Sequence, residues 1–126
     1  LKNILKEGIE KRLKRHEENA LFLRKSLVNL GFNLLAEENF RSNTITAVEK
    51  DSRYEVTDLI KYLKEKHSIQ IAVGLGELEG KLFRIGHMGL GASYKMTLPL
   101  LFGIEEFLIN KGEEISTGQF LDKINR

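Results

Sequence analysis

Apolar residues recur at helical spacing from Leu5 through Ile9, Leu13, Ala20, Leu23 and Leu27 to Leu30, with His16 filling the gap in the stripe. That period buries one side of an α-helix, and Gly31 directly after it supplies a stop. The spacing predicts one helix from Leu1 to about Leu30. A helix of that length is longer than a single domain of 126 residues needs to cover itself, so its first turns are expected to pack on something outside the domain. A coiled coil is the competing account of the stripe, which spans barely enough heptads for one.

Phe32 to Ala36 and Thr44 to Val48 read as strands joined by the turn-rich segment Glu37 to Asn43, and they are expected to pair antiparallel. Ser52 and Glu55 have capping-box spacing ahead of Val56, Leu59, Ile60 and Leu63, a stripe that predicts a helix to about Lys66. Ile69 to Val73 is a third strand, and Gly74, Gly76 and Gly80 mark a hairpin-like connection into a fourth, Leu82 to Gly86. Beyond Gly86, Gly89 and Gly91 a last major helix carries Leu100, Leu101, Ile104, Phe107 and Leu108 and ends near Gly112. Pro99 fits best in its first turn with Thr97 as the cap, whereas a start at Ser93 would put the proline inside the helix. A short helix is expected around Thr117 to Ile124. The order α, β, β, α, β, β, α predicts an α+β fold, an antiparallel sheet of about four strands with helices on one face.

Hydrophobic residues at 41% suit one globular domain, and 20 basic against 18 acidic side chains leave a net charge of +2, which argues for neither a nucleic-acid nor a membrane partner. The absence of cysteine excludes disulfides and thiolate metal sites and fits a cytoplasmic location. No apolar run approaches the ~20 residues of a membrane span. The chain begins at Leu1, already inside a helical pattern, as a piece of a longer polypeptide would.

The chemistry concentrates in Gly80 to Gly89, GKLFRIGHMG. In a strand Leu82 to Gly86, alternation puts Phe83 and Ile85 on the core face and presents Arg84 on the other. A guanidinium there suits two-bond capture of a carboxylate or phosphate, against the alternative of a surface ion pair with a glutamate. Gly74, Gly76 and Gly80 do not have the GxGxxG spacing of a phosphate loop, and a strand rather than a helix follows them. Tight turns explain them better. His16, His67 and His87 lie in different elements with no metal-ligand spacing. A hydrogen-bonded structural role is expected for His16, a helix-ending role for His67, and for His87 a position on the face away from Arg84. Neither a catalytic triad nor a carboxylate pair is evident. An RNA-binding sheet would need exposed aromatics on central strands; only Phe83 is suitably placed, and its face predicts burial.

Arg15-His16-Glu17, Leu27-x-x-Leu30-Gly31-Phe32, Ser42 to Val48, Ile71 to Gly76 and above all Gly80 to Gly89 occur in an order and spacing that resemble the C-terminal part of class V aminotransferases, most closely the alanine–glyoxylate and serine–pyruvate group. The resemblance runs to about Lys111. It implies the small C-terminal domain of a fold type I enzyme dependent on pyridoxal phosphate. Residues 1–126 would be that domain, with residues 1–30 a long helix leading in from a large cofactor-binding domain outside this chain. It also implies that Arg84 binds the substrate α-carboxylate, while the cofactor-bearing lysine and phosphate contacts belong to the large domain. On that reading the chain supplies no catalytic, cofactor-binding or metal-binding residue and is inactive alone. The intact protein would be a homodimer moving an amino group from a small amino acid such as alanine or serine to a 2-oxo acid such as glyoxylate or pyruvate. The rival expectation is a stand-alone regulatory module that binds an amino acid through Arg84.

Overall fold

The computed structural model describes residues 7–35, 45–74, 80–87 and 93–122. Its elements are α1 (Ile9–Asn29), β1 (Asn33–Leu34), β2 (Ile45–Glu49), α2 (Val56–His67), β3 (Ala72–Val73), β4 (Leu82–Gly86) and α3 (Tyr94–Asn110), followed by a 3₁₀ turn at Gln119–Leu121. The four strands form one sheet in the order β1-β2-β4-β3, antiparallel at every pairing. The α+β architecture, the four strands and the element order agree with the sequence reading.

The sheet is covered on one face. Thr46 and Val48 of β2 pair with Ile85 and Phe83 of β4, and all four are buried. Leu23 and Leu27 of α1, Leu59 and Leu63 of α2, and Leu101, Ile104 and Leu108 of α3 close the core over that face. Phe83 is fully buried and meets Phe32 edge-on at 5.8 Å between ring centroids. This burial removes the aromatic that an RNA-binding surface would need. On the opposite face Ile45, Glu49, Ala72 and Gly86 are exposed and Ala47 and Arg84 are half-buried.

Within α1 the apolar stripe outruns the core. Ala20, Leu23 and Leu27 are fully buried, whereas Ile9 and Leu13 on the same stripe are 68% and 65% exposed. The uninterrupted helix expected from Leu1 is corrected at Gly8, whose φ of 87° is incompatible with helix, so α1 starts at Ile9. Leu5 lies outside the described residues. At the other end the expected stop is in place: Gly31 has φ +89°, its N–H bonds the Val28 carbonyl and the Phe32 N–H bonds the Leu27 carbonyl. Those two bonds form a Schellman motif that turns Phe32 into the core beside Leu27.

Two helix starts differ from expectation. No capping box forms at Ser52. α2 begins after Glu55, whose carbonyl receives the Asp58 and Leu59 N–H groups, while Asp51 takes the Arg53 N–H in the preceding turn. α3 begins at Tyr94 after Ser93, so Pro99 sits inside it, and Thr97, rather than capping, has its own N–H bonded to the Ser93 carbonyl. The Thr97 hydroxyl instead donates to Asn19 Oδ1 at 2.9 Å, tying α3 to α1, and the proline is tolerated on the exposed side of the helix. Among the described residues, which exclude Ile124, the tail forms the 3₁₀ turn Gln119–Leu121 where a short helix is expected. It is held where the buried Glu105 accepts the Gly118 and Phe120 N–H groups at 2.6 and 3.2 Å.

Arg53 joins three segments. Its guanidinium donates twice to Asp51 and once to the Leu30 carbonyl at 2.7 Å, and it lies 4.8 Å from the Phe32 ring centroid. Burial would raise the Asp51 carboxyl, but the bonds from Arg53 outweigh it and hold Asp51 below its ordinary value of 3.8. A carboxyl depressed in the folded state contributes stability that is complete above its unfolded value and lost as pH falls through the folded one. Urea unfolding is therefore expected to show stability declining below about pH 4, with Asp51→Asn weaker at neutral pH and flatter through the acid range.

α2 and α3 meet where Gly103 has no side chain. A Cβ there would lie 2.8 Å from Leu63 Cδ2 and 3.2 Å from His67 Cδ2. Gly103→Ala is expected to destabilise the chain by about 1–3 kcal/mol through overpacking, despite alanine's better helix propensity, as read by denaturant midpoint.

Candidate functional site

β4 is an interior strand, paired with β2 on one side and β3 on the other. Arg84 lies at its middle, opposite Ala47 of β2 and Ala72 of β3, on the face that the helices leave uncovered. Its Nε donates to the Val73 carbonyl at 2.9 Å. Among the described residues no acidic side chain pairs with it. With Nε engaged, the two Nη groups remain as the donor edge of the planar fork, the geometry that takes a carboxylate by two parallel bonds.

The face behind Arg84 is tied down by a buried polar pair. His87, 1% exposed, points into the protein with Nε2 2.8 Å from Thr46 Oγ1, so it lies away from Arg84 as alternation predicts. His16 is buried with Nδ1 2.8 Å from the Arg12 carbonyl, a structural contact. His67 is the last residue of α2, its Nε2 3.4 Å from Glu106 Oε1. The structure thus brings none of the three to Arg84. Gly80 has φ +79°, as a tight turn requires, while Gly76, Gly89 and Gly91 lie outside the described residues.

No protein-family model matches the chain. An uncharacterized aminotransferase of Methanocaldococcus jannaschii is 39% identical over 112 residues, which is 89% of this chain and 29% of that protein. The alanine–glyoxylate aminotransferase of Callithrix jacchus is 36% identical over 88 residues, 69% of this chain and 21% of its own length. The crystal structure of the ureidoglycine–glyoxylate aminotransferase of Bacillus subtilis superimposes with a TM-score of 0.88 at 28% identity, over 95% of this chain and 31% of that one. The chain belongs to the aminotransferases.

The resemblance carried by the GKLFRIGHMG block is therefore borne out. This aminotransferase chain spans less than a third of the length of the curated relatives it matches. Its described residues do not fit a pyridoxal phosphate site by themselves. Every described lysine is exposed except Lys50, which is half-buried and has its ammonium 3.7 Å from Glu55, so none is enclosed for a carbonyl cofactor. Among the described residues no group of three or more His, Asp or Glu gathers to hold a metal, and no helix is long and apolar enough to cross a membrane.

Sequence reading found Arg84 but missed its fixing contact, because a carbonyl has no signature in residue type and its position follows from strand pairing. The buried Thr46–His87 pair gives a direct check on the support behind the arginine. Thr46→Val removes the hydroxyl and with it the buried bond to His87 Nε2, and is expected to lower unfolding free energy by about 1–3 kcal/mol in urea titration.

Proposed function

We propose that this chain is the small C-terminal domain of a class V aminotransferase dependent on pyridoxal phosphate, and that Arg84 binds the α-carboxylate of its substrates. The observation that carries the proposal is the state of Arg84: a guanidinium anchored through Nε on an uncovered sheet face, with its Nη edge free of any acidic partner among the described residues. An arginine kept half-buried with no counter-charge among the described residues is arranged for an anion that arrives from outside.

Two parallel bonds to a carboxylate prevent its rotation and so present the Cα substituents in one orientation, which is what stereospecific chemistry at Cα demands of a binding residue. Pyridoxal phosphate, held by residues beyond this chain, would supply the electron sink. Relatives that act on glyoxylate support an amino group passing from a small amino acid such as alanine or serine to a 2-oxo acid such as glyoxylate or pyruvate. The exposed Ile9 and Leu13 extend the core-facing stripe of α1 beyond the core, which supports residues 1–30 leading in from a large domain of the same polypeptide. The intact protein is read as a homodimer in the cytoplasm, and this chain as inactive alone. The stand-alone regulatory module is not favoured, since the relatives are aminotransferases of which this chain covers less than a third.

In the full-length protein Arg84→Lys and Arg84→Gln are expected to raise the amino-acid KM roughly 10- to 100-fold, the loss of one or two charge-assisted bonds. Steady-state kinetics with alanine and glyoxylate reads this directly, and an unchanged KM would remove Arg84 from the site. Calorimetric binding of alanine or pyruvate by the isolated chain would instead favour the regulatory module.

A further inference from the structure

The hydrogen-bond pattern of the β3–β4 ladder determines where the Arg84 guanidinium must lie. The Gly74 N–H bonds the Leu82 carbonyl, so residues 74 and 82 form a hydrogen-bonded antiparallel pair. Such pairs alternate along a ladder with pairs whose peptide groups point away from each other. Ala72 and Arg84 are therefore of the bonded kind, and Val73 opposite Phe83 is of the other kind. The peptide groups of Val73 consequently point away from β4. Because β3 is the last strand of the sheet among the described residues, they point out of its edge.

The carbonyl that receives Arg84 Nε is thus an edge carbonyl on the far side of β3. To reach it from the middle of β4, the arginine stem has to pass over β3 on the uncovered face, where the residue directly opposite is Ala72. A cross-strand neighbour sits only about 5.5 Å away at its Cα in a bonded pair, so any branched side chain at that position occupies the path of the stem. Alanine is a poor strand former. Its presence between Ile71 and Val73, in a strand of only two residues, gives up sheet propensity at the one place where the arginine needs clearance.

We infer that Ala72 is a positioning residue for Arg84. Its small side chain forms the bed across which the arginine reaches the Val73 carbonyl, so that the Nη edge is held over the β3 side of the sheet for a substrate carboxylate. The inference rests on the proposed role of Arg84. Ala47, the opposite neighbour of Arg84, lies on the side away from Val73 and serves as the matched control.

The experiment compares Ala72→Val, Ala72→Ser and Ala47→Val in the full-length protein, alone and combined with Arg84→Gln, by steady-state kinetics with alanine as amino donor. Valine favours strands, so Ala72→Val is expected to retain the fold. The expected result is a KM raised roughly 10-fold or more by Ala72→Val with kcat changed less than about threefold. Ala72→Ser, which adds a single oxygen, should stay near the parent, as should Ala47→Val. In the Arg84→Gln background Ala72→Val should add nothing further, because a residue acting through another is non-additive with its loss.

An unchanged KM for Ala72→Val, an equal rise for Ala47→Val, or full additivity with Arg84→Gln would each overturn the positioning role while leaving Arg84 in place. An Ala72→Val protein that does not fold passes the decision to Ala72→Thr in the same cycle, for which the same outcomes hold. If Arg84→Gln alone leaves KM unchanged, it is the carboxylate role of Arg84 that fails, and with it this inference.

Discussion

Everything in this chain hangs on the placement of β4 inside the sheet, paired antiparallel with β2 on one side and β3 on the other. Only one face of that sheet is buried by helices, so alternation along β4 divides its residues between two environments. Phe83 and Ile85 anchor the strand in the core, and Arg84 between them is turned to the face that helices do not cover. A register slip of one residue would put the arginine into the apolar core and an aromatic into water, so the core itself enforces the orientation of the functional group.

The support around that strand is polar as well as apolar. The Thr46–His87 pair closes the end of β4 on the buried side, and the Val73 carbonyl holds Arg84 on the other. Arg53 binds the end of α1 to the turn before α2 through the Leu30 carbonyl and Asp51, and Glu105 docks the tail. Arg53 and Glu105 are engaged by backbone and, for Arg53, by a carboxylate, whereas among the described residues Arg84 is a cation with one neutral contact. That contrast is what supports the proposed role of Arg84 as a binding group.

How much of this was legible depended on the range of the interaction involved. The strand Leu82 to Gly86 was read with its bounds intact, because alternation over a short run is a local pattern. The starts of α2 and α3 differ from the sequence reading, because Ser52 and Thr97 are good caps by type but the turn before α2 is held by Asp51 and Arg53 and Thr97 is drawn into a tertiary contact. Thr97 is already within the helix with its hydroxyl turned to Asn19 of α1, a partner 78 positions away, and no local rule weighs such a contact. Gly8 was passed over for the opposite reason: the apolar stripe continued on both sides of it, and the period alone does not register a backbone angle.

The sequence by itself determined the α+β class, the order of the elements, the burial of Phe83 and Ile85 and the candidacy of Arg84, since periodicity, turn residues and the family-like GKLFRIGHMG block are all properties of neighbours in the chain. Tertiary structure alone decided which strand lies beside which and in what register. From that came the alanines flanking Arg84, the edge carbonyl of Val73 that fixes its Nε, and the point at which the stripe of α1 leaves the core. The physical reason is that hydrogen bonds between strands and contacts between helices join residues far apart in sequence. Their geometry follows from closing the whole core at once rather than from any local preference.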